Sequence, residues 1–491
     1  MINQLRDIGN IYDLVALCSS YILNEIGKKP YEFGTFQEEE FNFVWDAVEN
    51  YCFEKSENGH LVAFKRLREQ IIRLMAPEPS LEKCFAVIKS IDELVEVELN
   101  GMLMGGNHII SYQALNVEYV DKVRILPKRL ESIHDRGDER LGVWNSDEFH
   151  TLFRKRRECA CSELDKEMAN YMVWDEACVK TYPLQVYRLD EEHPATKHFR
   201  ETGEIIFGLV PFTSIPLQSI FDLKFKGKTF YIEGMHAEPE KELRKCYEMV
   251  CRKSREEGID FLVFPEMMMT ENILLRDNAL LACERKKERK SSFIINGTIW
   301  KDFANQSIVT EGNGEKIFSY YKKEPYILER NGIEYREFLD KEKNKSYVIM
   351  EIEGVGRIGI GICRDLISEK VKLFHKHMGT DILFIPAYTD SRDMLASAEE
   401  LSKEYNCIVV LANTCSAFGQ ELLEHGDKML SFITLPAKNG STRAVVLRPY
   451  YSCGCCENCA QGCIGMKVCV DFLHVEHYDS GLSYKIVESF F

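Results

Sequence analysis

A glutamate, a lysine and a cysteine each follow an apolar run in the second half of this 491-residue chain. They stand in Phe264-Pro265-Glu266, in Tyr320-Tyr321-Lys322-Lys323, and in Gly359-Ile360-Gly361-Ile362-Cys363-Arg364-Asp365. The β-branched and aromatic residues before them predict strands, which would present all three groups at strand ends, where catalytic side chains are commonly held. Together they supply a base, a cation and a thiol. Attack on an amide needs a nucleophile, a proton carrier for the leaving amine, and a positive or hydrogen-bonding pocket for the tetrahedral oxyanion. Cys363 is the candidate nucleophile, Glu266 the candidate base, and a lysine with the backbone N–H of Arg364 the candidate oxyanion contact. A lone cysteine after an apolar strand is ordinarily a small buried hydrophobe, and a strand-end glutamate is ordinarily solvated. The ordered set weighs against both.

The order and neighbours of these motifs resemble the nitrilase, or carbon-nitrogen hydrolase, superfamily, from about Glu204 to the C-terminus; Asp365 and Glu369 also fit. The resemblance implies a Glu-Lys-Cys triad that hydrolyses non-peptide amides through a thioester, with no cofactor for the catalysis. It also implies a four-layer αββα sandwich that pairs into a homodimer or larger homo-oligomer. In the family a Tyr-x-Lys pattern follows a turn, and Tyr320-x-Lys322 and Tyr321-x-Lys323 both satisfy it. Counting eight residues from Gly314 selects Lys322, with Lys323 as the alternative on the opposite strand face. The family's accessory glutamate would be Glu329, or else Glu337, and either also reads as an ordinary surface carboxylate. Cys363-Arg364-Asp365 favours an amidase-like branch, whereas Ser368-Glu369 departs from the usual Pro-Glu of that segment.

Positioning these groups takes alternating helices and strands. A helix from about Glu238 to Glu257 leads into the strand Phe261 to Phe264, and Ser307 to Val309 with Lys316 to Tyr321 reads as a hairpin across Gly312-Asn313-Gly314. Tyr347 to Ile352 and Arg357 to Ile362 form a second hairpin around Gly354. Beyond Cys363 come a helix, the strand Ile382 to Ile385, a helix from Arg392 to Tyr405, the strand Cys407 to Leu411, and a last strand from Val468 to Val475. Such alternation predicts an α/β layered domain over 201–491. Residues 1–200 read as a mainly helical domain of unknown role, with apolar residues at three- and four-residue spacing in Ile11 to Leu23, Phe41 to Phe53 and Leu61 to Met75. Ser80 is a candidate helix cap, and a charged helix is expected from Asp147 to Met172. The turn-forming stretch His193-Pro194 to Gly203 marks the boundary.

Hydrophobic residues at 45% and charged residues at 29% are ordinary globular values, which argues against disorder and membrane embedding. The balance of 62 basic against 78 acidic residues, −16, disfavours a broad nucleic-acid surface and leaves Arg285 to Lys290 as a local basic patch that reads as a solvated helix face. Met1 to Asp7 lacks the plan of a signal peptide, and no apolar run reaches bilayer-spanning length, so a cytoplasmic location is expected.

Most of the 18 cysteines are scattered in apolar segments and read as reduced core residues. Cys453, Cys455, Cys456, Cys459, Cys463 and Cys469 instead crowd an insertion at about 452–469. Cys456-x-x-Cys459 has the bite for one tetrahedral zinc, which Cys453 or Cys455 with Cys463 would complete as a structural site. Free thiols, a redox pair and iron–sulfur ligation are the competing readings.

The leading functional reading is a thiol amidohydrolase acting on a small amide-type molecule. The second is a nitrilase-like effector or scaffold subunit of a larger assembly, a reverse-transcriptase-linked bacterial defence system among them, with residues 1–200 meeting a protein or nucleic-acid-associated partner. A pseudoenzyme is disfavoured by the intact triad, and no membrane partner is expected.

Overall fold

The structure is a computed structural model. It describes residues 1–26, 38–95, 102–104, 109–113, 123–127, 133, 168, 171–175, 184–189, 192–213, 215–274, 293–340, 343, 346–390, 393–418, 429–437, 441–447, 465–478 and 481–490. The chain divides into two compact units, one built mainly from residues 1–102 and the other mainly from residues 184–491.

In the first unit, five helices, Ile2–Asp7, Ile11–Ile26, Glu38–Asn58, His60–Met75 and Leu81–Leu94, follow the expected apolar spacing. They bury Leu5, Leu14, Val15, Val48, Leu67, Ile71 and Ile88 in one cluster. Ser80 caps the last of them, accepting from Lys83 N at 3.2 Å. The unit is not helical throughout. Val123–Pro127 pairs antiparallel with Tyr171–Asp175. The expected helix over 147–172 therefore cannot reach Met172, whose β-favouring neighbours Tyr171, Val173 and Trp174 pair in a strand. The rest of that segment, apart from Met168, lies outside the described residues, as does Arg285 to Lys290.

In the second unit two sheets are built from buried, β-branched runs. Leu184–Leu189, Tyr347–Ile352, Gly356–Ile360, Ile382–Pro386, Ile408–Ala412, Ser431–Pro436 and Thr442–Leu447 follow one another in the first. The second runs Ile299–Lys301, Ala304–Glu311, Phe293–Ile295, Phe261–Val263, Glu204–Leu209, Met466–Tyr478 and Gly481–Phe490, with Lys316–Tyr321 also on Ala304–Glu311. Their inner faces meet through aromatic rings. Phe384 lies 5.1 Å from Phe261 and 6.0 Å from Phe207, and Tyr187 stacks on Phe318 at 5.0 Å. Helix Ala237–Glu256 covers the outer face of the second sheet, burying Leu243, Tyr247 and Val250 among Leu262, Phe264 and Ile294. Helices Glu369–Met378 and Asp393–Tyr405 cover the first, Phe374 stacking on Tyr347 at 3.9 Å and Ser402 reaching Thr434 at 2.7 Å. The layers are α, β, β, α, the architecture expected above. A smaller sheet orders Ile327–Arg330, Ile333–Glu337, Thr229–Met235 and Phe221–Lys226.

Three boundaries differ from the sequence reading. The stretch read as a boundary is a helix, Pro194–Thr202, started by Pro194 and by the His193 ring, which accepts from Ala195 N at 3.2 Å, and stopped by Gly203 at φ 68°. The first sheet takes in Leu184–Leu189, parallel to Tyr347–Ile352, so the α/β unit includes strand residues ahead of Glu204. Met466–Tyr478 is not the last strand: Gly481–Phe490 returns against it. Cys453, Cys455, Cys456, Cys459 and Cys463 lie outside the described residues, and Cys469 sits within Met466–Tyr478. Among the described residues no helix is long and apolar enough to cross a membrane.

One charged network ties three neighbouring strands of the first sheet, Leu184–Leu189, Tyr347–Ile352 and Gly356–Ile360. The fully buried Glu351 accepts from Arg357 Nε at 2.7 Å and from Arg188 Nε and Nη2 at 2.9 and 2.6 Å, while Arg357 Nη1 also donates to Met378 O at 2.8 Å. Burial opposes the charge of Glu351, yet the two guanidinium groups hold its carboxyl below the usual range. Removing one partner of such a network strands a buried charge. Glu351→Leu is expected to lower the unfolding free energy by about 3–5 kcal/mol in urea denaturation, and a loss below about 1 kcal/mol would match only a solvated pair.

Candidate active site

Glu266 follows the buried strand Phe261–Val263, and the backbone that carries it is pinned from three sides. Phe264 N donates to Ile295 O at 3.0 Å, Glu266 N to Ala387 O at 3.2 Å, and Met267 N to Thr298 Oγ1 at 2.7 Å. Met267 takes a left-handed φ of 66°, which turns the chain sharply after the glutamate. Gly297 permits this. A Cβ there would stand 2.1 Å from Pro265 O, so no other residue fits.

Lys322 follows the strand Lys316–Tyr321 and is held in register by its own N–H, which donates to Asn305 O at 2.9 Å. Its ammonium reaches Glu266 Oε1 and Glu337 Oε2, each at 2.7 Å. All three side chains are at most 2% exposed. Asn305 Nδ2 joins the two carboxylates, donating to Glu266 Oε1 at 2.8 Å and Glu337 Oε1 at 3.1 Å. Trp300 Nε1 and Tyr326 N complete the donors to Glu337, at 3.1 and 2.8 Å. The accessory glutamate expected at Glu329 is not in this cluster. Glu329 sits exposed opposite Glu334 in the two-stranded ribbon, and Glu337, at the ribbon's buried end, takes the place beside Lys322.

The second lysine points elsewhere. Lys323 Nζ donates to Ser346 O and lies over the rings of Tyr320 and Tyr347, at 4.7 and 5.1 Å. Burial lowers its pKa to about 7 against the opposing pull of Asp365.

Cys363 opens a short 3₁₀ turn, Cys363–Ile367, directly after the strand Gly356–Ile360. Its φ of 48° is unfavourable for a residue with a side chain, and such strain is found where a group must be aimed out of a strand end. The thiol donates to Tyr388 O at 3.6 Å and has the Glu266 carboxyl as a further hydrogen-bonding neighbour. Arg364 is the second residue of the turn, where a backbone N–H has no partner within the turn.

Asp365 holds the turn in place. It is fully buried, and Oδ2 accepts from Ile362 N at 2.9 Å and Tyr320 Oη at 3.1 Å, while Oδ1 accepts from Lys323 N at 3.0 Å and Glu324 N at 2.8 Å. One carboxylate thereby ties the cysteine turn to the chain that carries Lys322.

The two carboxylates beside Lys322 experience opposite environments. For Glu337, burial raises proton affinity but Lys322, Tyr326 N and Asn305 overcome it, leaving the group below its ordinary range. Glu266 stays above its ordinary range, because burial and the charge of Glu337 outweigh the opposing pull of Lys322. Paired carboxylates pushed apart in this way separate a permanently charged group from one suited to carrying a proton. Burial, then the charge of Glu266, pushes the Cys363 thiol up, so its proton stays on sulfur at rest. Burial also opposes the charge on Lys322, yet Glu266 and Glu337 together raise its proton affinity and keep it an ammonium.

Asn305 and Trp300 are the site residues that no sequence motif singled out. The available signal was a polar Asn at an inward position of a half-buried strand, opposite the end of the lysine strand. Because Asp365 satisfies four donors, Asp365→Asn turns an amide NH₂ toward two of them and is expected to cost about 2–3 kcal/mol of unfolding free energy. Thermal and urea unfolding read this directly, and an unchanged stability would show that the turn does not depend on the carboxylate.

No family model matches the chain, and no curated protein does. Among solved structures it is similar to Nit3 of Saccharomyces cerevisiae, a member of branch 10 of the nitrilase superfamily, at 13% identity over 50% of this chain and 90% of that one, with a TM-score of 0.32. It is similar to an amidase of the nitrilase superfamily from Nesterenkonia AN1, at 10% identity over 50% of this chain and 87% of that one, TM-score 0.30. It is similar also to the NitFhit protein of C. elegans, at 15% identity over 51% and 62%, TM-score 0.31.

Proposed function

We propose that the chain is a thiol amidohydrolase that cleaves a non-peptide C–N bond of a small molecule through a thioester on Cys363. The observation that carries this reading is the buried Lys322 ammonium shared by Glu266 and Glu337, with the Cys363 thiol against Glu266.

The chemistry follows from the proton positions. The thiol keeps its proton until a carbonyl carbon is in reach, and Glu266 then takes it as the C–S bond forms. The carbonyl oxygen becomes an oxyanion. Lys322 has three N–H bonds, two of them directed at carboxylates, and the third is available to that oxygen together with the N–H of Arg364. As the C–N bond breaks, Glu266 returns the proton to the departing amine. Water then attacks the thioester, giving its proton to Glu266, and the thiol and a carboxylic acid are released. Glu337 stays ionised throughout, which keeps Lys322 charged and in place.

The base must be unprotonated at the start, and the proton affinity of Glu266 is raised. Activity is therefore expected to fall as pH drops through a value above the ordinary carboxylate range of about 4. Ammonia or amine release from a panel of small carboxamides, ω-amides and carbamoyl compounds is the assay. Cys363→Ala is expected to abolish turnover with the fold intact, and Glu266→Gln to block acylation. Lys322→Ala should lose about a hundredfold or more, and Lys323→Ala less. Turnover by Cys363→Ala at the parent rate contradicts the proposal, and the reverse ranking of the lysines moves the oxyanion role to Lys323.

A further inference from the structure

Asn305 contributes more to the cluster than its lack of a motif suggests. It is 1% exposed, and both hydrogens of its amide nitrogen are directed at carboxylates, one at Glu266 and one at Glu337. Its own Oδ1 has no hydrogen-bond partner among the described residues, although it is buried. A buried acceptor without a partner is a cost to the fold, and a side chain retained in spite of it points to a need for its donors. The two oxygens of Glu266 are unequal as a result. Lys322 and Asn305 both donate to Oε1, and among the described residues no N–H donates to Oε2.

We propose that Asn305 is a positioning residue of the reaction: with Lys322 it occupies Oε1 of Glu266, directs the Cys363 proton to Oε2, and holds Glu266 in its ionised, proton-accepting form. This rests on the reading of Cys363 and Glu266 as nucleophile and base. A donor to the charged form of a carboxyl favours that form, so loss of the amide N–H raises the proton affinity of Glu266. The other groups that face Glu266 are Lys322, Glu337 and Cys363, with Tyr326 and Tyr388 from the neighbouring loops.

The test needs no substrate. Iodoacetamide alkylation of Cys363 in the full chain is followed against pH, with the Cys363 peptide quantified by mass spectrometry. Asn305→Leu, of similar size and without a donor, is expected to raise the pH of half-reactivity by about one unit, which is about a tenfold slower reaction on the acid side. Asn305→Asp, which keeps the shape and adds a third carboxylate, should move it further in the same direction. Asn305→Gln keeps the amide donor and should return it toward the parent value. A purely packing role would leave Asn305→Leu at the parent midpoint whatever happens to its melting temperature, and that result overturns the proposal. If Asn305→Leu does not fold, Asn305→Ala, which also lacks the donor, is read in its place against Asn305→Gln. Glu266→Gln separates the two levels: a profile identical to the parent's would sink the Cys363–Glu266 reading itself. A profile changed by Glu266→Gln but by no Asn305 variant would sink only the role of Asn305.

Discussion

One ammonium shared by two buried carboxylates is the constraint on which the second unit depends. Lys322, Glu266 and Glu337 are removed from water together, and none of the three charges is tolerable there without the others. Three charges of this kind sum to one negative charge. That excess, with burial, keeps the proton on Cys363, while Glu337 with its four donors stays below its ordinary range and Glu266 above its own. A buried ion cluster is a poor way to stabilise a fold, since apolar residues of similar volume commonly do as well. Its value here is positional: the cation sits at 2.7 Å from each carboxylate and has one hydrogen to spare.

Holding that geometry requires the strand ends to be fixed relative to each other. Glu266 comes from the second sheet, Cys363 from the first, Glu337 from the small sheet, and Lys322 from the strand beside Ala304–Glu311. The aromatic contacts of Phe384 with Phe261 and Phe207 set the spacing of the two sheets close to the site. Asp365 then bridges the cysteine turn to the lysine segment, and Ala387 O and Thr298 Oγ1 hold the glutamate loop. The left-handed backbone at Cys363 and Met267 is the local cost of aiming both side chains at one point.

The groups that project from buried apolar strands were legible in the sequence, because such runs announce both the strand and its end. Glu266 and Cys363 are of this kind. The count of eight residues from Gly314 preferred Lys322 to Lys323. The two lysines do face different partners, Lys322 the carboxylates of Glu266 and Glu337 and Lys323 the carbonyl of Ser346. Glu329 and Glu337 could not be separated in the same way. Both belong to a short ribbon of charged and apolar residues whose exposed and buried ends look alike, and only the pairing of that ribbon with Thr229–Met235 buries Glu337. Asn305 was hidden because its importance comes from partners 32 and 39 residues away. In the first 200 residues helical spacing located the helices well, whereas the paired strands Val123–Pro127 and Tyr171–Asp175 depend on contacts between distant segments. Pro194 and Gly203 read as loop punctuation, yet they stand where a helix starts and stops.

The most direct test of the central claim is the mass of the Cys363 peptide after the full chain is mixed with small carboxamides and carbamoyl compounds and quenched in acid. An acyl increment on Cys363 that hydroxylamine removes is expected, as for a thioester. Amine release with the increment on another residue, or with no acyl group on the protein at any time of quenching, would contradict it.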